Sequence, residues 1–323
     1  MGDPKILVVG SLAIDITVKT KRMPNSGETV LDGIDYITAP GGKGANQAVQ
    51  AARLGARVTM AGKIGKDING KQILESAKAS GINTDHIIID EDACSGMANI
   101  ILEAEDDGST QNRIIVVPGA NMKMKLEEIE FLKEAIAGYD MIMLQQEIPT
   151  EINKAVAEYA NEKGLPIMLN PAPSRSMSDN LLKNLTYISP NEHEAADITG
   201  IEIRKTEDGV DLKAIKEASN FLLKKGVKNV IITLGDKGVS YMNKDQFIYL
   251  PSVKIEKAVD PTAAGDSFIA AFCTSICFGM DVEKALRFSA YTAALTVSKI
   301  GAQPSLPYYK DVLEFAEKYD EKF

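Results

Sequence analysis

The sequence predicts an α/β fold, with a mostly parallel sheet covered by helices on both faces and a small second sheet beside it. Three observations carry this. From about residue 127 the apolar pattern alternates between helical spacing and short continuous runs, the rhythm of parallel strands joined by crossover helices. Two earlier segments, about 12–41 and 94–118, break that rhythm with hairpin-like patterns. No long linker, low-complexity tract or repeat divides the 323 residues, which suits a single domain, 1–323.

The elements follow in order. KILVVG (5–10) is a short apolar run and predicts a buried strand. GETVLDGIDYITAPGG (27–42) alternates around Asp32-Gly33 and predicts small strands with a turn. GANQAVQAARLGA (44–56) has helical spacing with Gly55 near its end, and RVTMAGKIG (57–65) is a further strand. NIILEAEDDGSTQNRIIVVPG (99–119) sets two apolar runs around Asp107-Gly108, a hairpin signal. Then come a helix over 127–138, a strand over 139–147, a helix over 150–164, strands over 166–173 and 185–192, a helix over 212–226 and a strand over 229–235. Ligands of open α/β sheets sit beyond the carboxyl ends of the strands. Polar residues just after strands, such as Asp15, Glu147, Asn191 and Asp266, are therefore the first candidates for a site.

Composition narrows the function. With 36 basic and 45 acidic residues the net charge is −9, which argues against gripping a nucleic-acid backbone through overall charge. Cys94, Cys273 and Cys277 are too few, and odd in number, for a disulfide framework, so they fit a reducing compartment. Cys273 and Cys277 are spaced to share a packed helix face. The opening MGDPKILVVGSLAID does not read as a signal peptide. No run approaches the ~18 apolar residues of a membrane helix. A cytoplasmic protein without membrane or nucleic-acid partners is expected.

Several motifs fail on spacing. In APGGKGANQ (39–47) Gly44 follows Lys43 where a Walker loop needs Ser or Thr, and Gln47 stands where a dinucleotide fingerprint needs Gly or Ala. What remains is a turn whose backbone can approach a ligand, with Lys43 and Asn46 as donors, or a plain strand-to-helix turn. HEAAD (193–197) misses the zinc pattern HExxH at Asp197, and no GxSxG occurs. Asn191 and Glu194 are three apart at a helix start. They can cap that helix or face Mg²⁺ through water. TLGDKG (233–238) turns on two glycines after a strand and can carry a nucleotide or be an ordinary turn. In DPTAAGD (260–266), Ala263, Ala264 and Gly265 leave the first turn of the coming helix uncovered. Such a turn has unpaired N–H groups and binds phosphate. Asp266 in that turn is a helix cap or a base for an attacking hydroxyl.

GGKGANQAVQAARLG (41–55) and DPTAAGD (260–266) resemble the two signatures of the ribokinase-like (PfkB) sugar kinases, and GSLAID, LNPAP, SPNEHEA, ITLG and GAQPS continue the likeness in order across nearly the whole chain. The resemblance implies a three-layer α/β/α fold with a mostly parallel central sheet and a small β-sheet lid over the sugar, which also makes a homodimer contact. It implies ATP-dependent phosphorylation of the 5-hydroxyl of D-ribose, or else of another pentose, deoxyribose or a nucleoside. By position, Asp266 corresponds to the catalytic base, and Ala263, Ala264 and Gly265 to the anion hole. Ala13, Asp15, Gly42, Lys43, Gly44, Ala45, Asn46 and Glu147 fall at sugar-binding positions. Asn191, Glu194, Thr233, Leu234, Gly235, Asp236, Lys237 and Gly238 fall at nucleotide and Mg²⁺ positions, together with Gly265 and Asp266. Asp260 and Thr262 match a K⁺ site completed near Thr296, Lys299, Gly301 and Ser305. Two positions depart from the pattern. Ala13 replaces the Asn of GSxNxD, and Ala290 stands where an adenine-side Asn or His is usual.

Overall fold

The computed structural model describes residues 2–104, 110–206 and 209–323. The first half runs β1 (Lys5–Val9), β2 (Ala13–Thr20), β3 (Gly33–Gly41), α1 (Lys43–Arg53), β4 (Arg57–Gly65), α2 (Ile68–Ala79), β5 (Asn83–Asp90), β6 (Gly96–Ala104) and β7 (Thr110–Val117). There follow α3 (Leu132–Ala135), β8 (Met141–Gln145), α4 (Thr150–Glu162), β9 (Ile167–Asn170), α5 (Asp179–Leu182), β10 (Tyr187–Ile188) and α6 (Glu192–Thr199). The remainder is β11 (Lys205–Thr206), β12 (Gly209–Val210), α7 (Leu212–Lys224), β13 (Asn229–Thr233), β14 (Val239–Met242), β15 (Phe247–Leu250), α8 (Ala264–Cys277), α9 (Val282–Thr296), α10 (Ala302–Ser305) and α11 (Tyr309–Glu317).

Among the described residues the large sheet has nine strands in the order β15-β14-β13-β10-β9-β8-β1-β4-β5. It is parallel from β5 to β13, and only β14 and β15 run antiparallel to their neighbours. Strand β1 shows how alternation builds three layers. Ile6 and Val8 pack with Ala48 of α1 and Phe272 of α8 on one face. Leu7 and Val9 pack with Val156 of α4 and Leu222 of α7 on the other. Successive side chains of a strand point to opposite faces, so an apolar run with no polar interruption needs cover on both. The chain leaves β1 toward β4 in one direction and later builds β8, β9, β10 and β13 in the other. The strand order therefore reverses beside β1, and the crevice at its carboxyl end is where such sheets bind ligands.

The small sheet is separate, with order β3-β2-β6-β7. Its central strands β2 and β6 run parallel, and β3 and β7 flank them antiparallel. Three sequence expectations need correction. Over 27–42 only β3 forms. The stretch before it is a loop turned at Gly27, with Glu28 held by Arg22 and Lys21 N–H bonded to Asp32 O at 3.1 Å, so β3 pairs with β2 across that loop. The region 127–138 is not one helix. It is a chain of short turns that buries Ile129, Leu132 and Ile136. The strand expected over 185–192 keeps only Tyr187–Ile188, because Asn191 already caps α6. The apolar runs of 99–119 do pair antiparallel, while the Asp107-Gly108 turn lies outside the described residues. Cys273 is fully buried in α8, and Cys277, one turn on, is half-buried. Among the described residues no helix is long and apolar enough to cross a membrane.

Candidate active site

The crevice is built where β1 and β8 end and where α1 and α8 begin. Gly42 enters α1 with φ of 85°, and an added Cβ would come 2.8 Å from Ala13 N, so only glycine lets β3 run into the helix this close to β2. The first turn of α1 is tied down by residues following the two strands. Ser11 Oγ donates to Glu147 Oε2 at 2.5 Å, and the Lys43 N–H donates to the same oxygen at 3.0 Å. The Gly44 N–H reaches Ser11 Oγ at 3.2 Å, and the Ala45 N–H reaches Ser11 O at 2.9 Å. Glu147 thus fastens the helix that carries Lys43 and Asn46.

Helix α8 starts at the opposite wall. Its cap, Ala263, has φ of 61°, a left-handed backbone on a residue other than glycine, and no side-chain oxygen to bond the first turn. The Ala264 N–H is bonded to Pro261 O at 3.1 Å, so the donors this turn has for an anion are the Gly265 and Asp266 N–H groups. Asp266 sits in this turn and is buried. Its Oδ2 accepts from Asn46 Nδ2 at 3.0 Å and its Oδ1 from Gln47 Nε2 at 3.1 Å. Asn46 Oδ1 is buried without a partner among the described residues, an acceptor available to a ligand hydroxyl.

The charges are crowded. Burial works against the Lys43 ammonium, but the carboxylates of Asp266, Glu147, Glu194 and Asp15 outweigh it and hold its pKa above the usual value. Burial pushes the Asp266 carboxyl up, and Lys43, Asn46 and Gln47 offset this only in part. Burial, then repulsion from Glu147 and Asp266, raises Asp15 to about 7. Glu194 is raised chiefly by burial.

The structure brings most of the candidates together. A cavity of about 200 Å³ is lined by Lys43, Asn191, Glu194, Thr233 and the run from Ala263 to Asp266. Asp15 projects from β2 against Gly41, where a Cβ would run into its carboxylate. Ala13 is two residues away on the same strand and therefore on the same face. Asn191 and Glu194 cap α6 reciprocally, at 2.8 and 2.9 Å, and line the cavity as well. The capping reading of that pair holds, and capping does not remove either side chain from the cavity wall. Leu234 is buried, and Gly235, Asp236 and Lys237 form a turn after β13 that closes with Leu234 N–H on Gly238 O at 2.9 Å. Ala290 is in α9. Asp260 bonds the Thr262 N–H at 2.9 Å and the Gly301 N–H at 2.8 Å, joining two loops beside the α8 entrance. Thr296 O accepts from Lys299 N–H at 3.2 Å, and Ser305 Oγ donates to Ala302 O at 2.8 Å. A larger cavity of about 630 Å³, near Asp3 and the end of α1, shares none of these groups.

Sequence reasoning missed Gln47 and Asn170. In the sequence Gln47 stands only as a failed glycine position, although a second amide beside Asn46 on an alanine-rich helix is a usable signal. Asn170 ends β9, accepts from Gln47 at 3.3 Å and donates to Ser189 O at 3.2 Å.

Residues 3–308 match the pfkB family of carbohydrate kinases. A ribokinase of Bacillus subtilis (strain 168) is 41% identical over 309 residues, covering 96% of this chain and 98% of its own. A deoxyribokinase of Salmonella typhi is 33% identical over 311 residues, covering 96% and 98%. The structure of Arabidopsis thaliana ribokinase complexed with ribose and ATP superposes with a TM-score of 0.86 at 34% identity, covering 98% of this chain and 99% of that one.

Proposed function

The chain belongs to the pfkB family of carbohydrate kinases, and from that premise we propose that it is an ATP-dependent ribose kinase that phosphorylates the sugar 5-hydroxyl. The observation that carries the reading is Asp266: a buried carboxylate, held by two amides, in the uncapped first turn of α8. The hydroxyl lies against Asp266, which takes its proton, while the open N–H groups and Lys43 receive charge from the transferring phosphoryl group. Asp15, the free oxygen of Asn46, and the backbone from Gly42 to Ala45 hold the sugar. Thr233 and the turn from Leu234 through Gly238 hold the nucleotide. Asn191 and Glu194 supply hard oxygen donors, a set that fits a Mg²⁺ ion retaining its waters. That ion, when bound, neutralises phosphate charge. The test is phosphoryl transfer from ATP across a panel of pentoses, deoxyribose and nucleosides. A best substrate other than ribose would displace the reading in favour of the deoxyribose or nucleoside alternative.

Ala13 is informative within that panel. Alanine offers neither the donor nor the acceptor that Asn would give. A sugar hydroxyl left unpaired costs about 1–3 kcal/mol, or roughly five- to 150-fold in affinity. We expect Ala13→Asn to lower KM for ribose and to leave deoxyribose less affected. If wild type already strongly prefers ribose and Asn brings no gain, water or a neighbouring side chain fills the role.

Asp260 joins the loops at 260–262 and 297–301 through the Thr262 and Gly301 N–H groups, and its carboxylate there is the anchor for a monovalent cation in this reading. K⁺ there would hold both loops and so shape the α8 entrance. Adding K⁺ to a potassium-free assay is expected to raise activity more than Na⁺ does. Unchanged turnover and KM would remove the site.

The small sheet serves as the lid and as a homodimer contact in this reading. Its support is apolar side chains left outside on the flanking strands, with Tyr36 71% and Ile115 63% exposed. Sedimentation that finds only monomer would exclude the dimer.

A further inference from the structure

Behind Asp266 a line of amides leads into the core. Gln47 Nε2 donates to Asp266 Oδ1 at 3.1 Å, and Gln47 Oε1 accepts from Gln145 Nε2 at 2.7 Å. Both glutamines are fully buried. Gln145 is the last residue of β8 and pairs in register with Asn170 of β9, so its backbone is fixed by the sheet. Its side chain fits because residue 10 is glycine. A Cβ there would run into Gln145 Oε1. We propose that Gln145 and Gln47 are positioning residues that set the orientation of the Asp266 carboxylate for proton acceptance.

A carboxamide has two faces of opposite character. The Gln145 NH₂ fixes which face of Gln47 points where, because the opposite orientation would set the Gln47 oxygen against a carboxylate and its NH₂ against another NH₂. Once so turned, Gln47 holds Oδ1 while Asn46 holds Oδ2 at 3.0 Å, and the carboxylate cannot rotate about its own bond without losing both. Asn46 keeps a free oxygen, whereas the Gln47 oxygen is engaged by Gln145 and its NH₂ also bonds Asn170 at 3.3 Å. Gln47 therefore acts on the reaction only through Asp266. Its second effect is electrostatic. The charged groups facing Asp266 are Lys43 on α1, Asp15 on β2, Glu147 after β8 and Glu194 on α6. Three of those are acidic, so each neutral donor on the carboxylate helps to keep it ionised.

The inference rests on Asp266 being the base, and the experiment separates the two. Gln47→Met and Gln145→Met keep the volume and remove the amides. Gln47→Met is expected to lower kcat roughly 10- to 100-fold, the scale of a misplaced reacting group. KM for ribose and ATP should stay within about threefold, and the acid limb of the kcat profile should move to higher pH. Gln145→Met, which does not touch Asp266, should show the same split with a smaller loss, and it carries the test alone if Gln47→Met does not fold. Either folded variant with unchanged kcat and an unmoved acid limb overturns the proposal. So does a loss confined to ribose KM. If Asp266→Asn is inactive while both methionine variants are normal, only the positioning role falls. If wild type phosphorylates no sugar, the proposed function itself falls.

Discussion

Asp266→Asn is expected to fold, bind ATP and ribose, and lose roughly 10²–10⁴-fold in kcat, the usual worth of general-base assistance. An amide has no lone pair that accepts a hydroxyl proton near neutral pH. The change should not unfold the protein, for two opposing reasons. One of the amides of Asn46 and Gln47 loses its acceptor, because the new side chain has a single oxygen. Against that, the carboxylate is buried and its pKa is raised, so a neutral group removes a desolvation cost. The wild-type profile carries the same signature. With Asp266 raised, activity should fall on the acid side at a pH above the ordinary carboxylate range. Single-turnover rates, with calorimetric binding of both substrates, are the measurement. Near wild-type turnover would end the assignment of Asp266 as base.

The legibility of this protein in its sequence differs by element. The parallel sheet could be read because β1, β4, β8 and β9 are short apolar runs with helical patterns between several of them, and burial on both faces forces that composition. The small sheet could be read as strands but not as a pairing, since β2 meets β3 across a long loop and β6 in parallel. Register of that kind is set by contacts far apart in sequence. The run 127–138 has helical spacing, yet its apolar residues are satisfied by short turns against the sheet. In the site, the residues that follow strands or open helices could be named because geometry places them at the crevice. What could not be read was the line from Gln145 through Gln47 to Asp266. Its members are 98 and 219 residues apart, and nothing local to either glutamine marks it as more than a buried amide.

Asp15→Asn is expected to raise KM for ribose by about 10-fold or more while making the folded protein more stable above neutral pH. The first effect follows from losing a charged acceptor, since hydrogen bonds to charged groups are worth about 1.5–3 kcal/mol. The second follows from linkage. The folded-state pKa of Asp15 is about 7, against an ordinary 3.8, with burial the largest cause and the charges of Glu147 and Asp266 next. Between those two values the folded protein holds a proton that the unfolded chain has released, so stability falls as pH rises from about 4 to about 7. Above about 7 both states are ionised and the loss is complete. At 1.36 kcal/mol per pH unit it is on the order of 4 kcal/mol. Asn carries no proton to lose. The melting temperatures of the two proteins should therefore lie close together near pH 4 and separate by pH 8, with the variant higher. An equal gap at both values would show that the Asp15 carboxylate is not strained by its surroundings. In wild type, ribose affinity should improve as pH rises through about 7, because the ionised carboxylate is the better acceptor for sugar hydroxyls. A ribose KM that ignores both pH and the substitution would remove Asp15 from the sugar site. The crowding of Asp15, Glu147 and Asp266 is then intelligible as stability given up for binding: a cluster that repels itself when empty gains most from a ligand that brings hydroxyl donors into it.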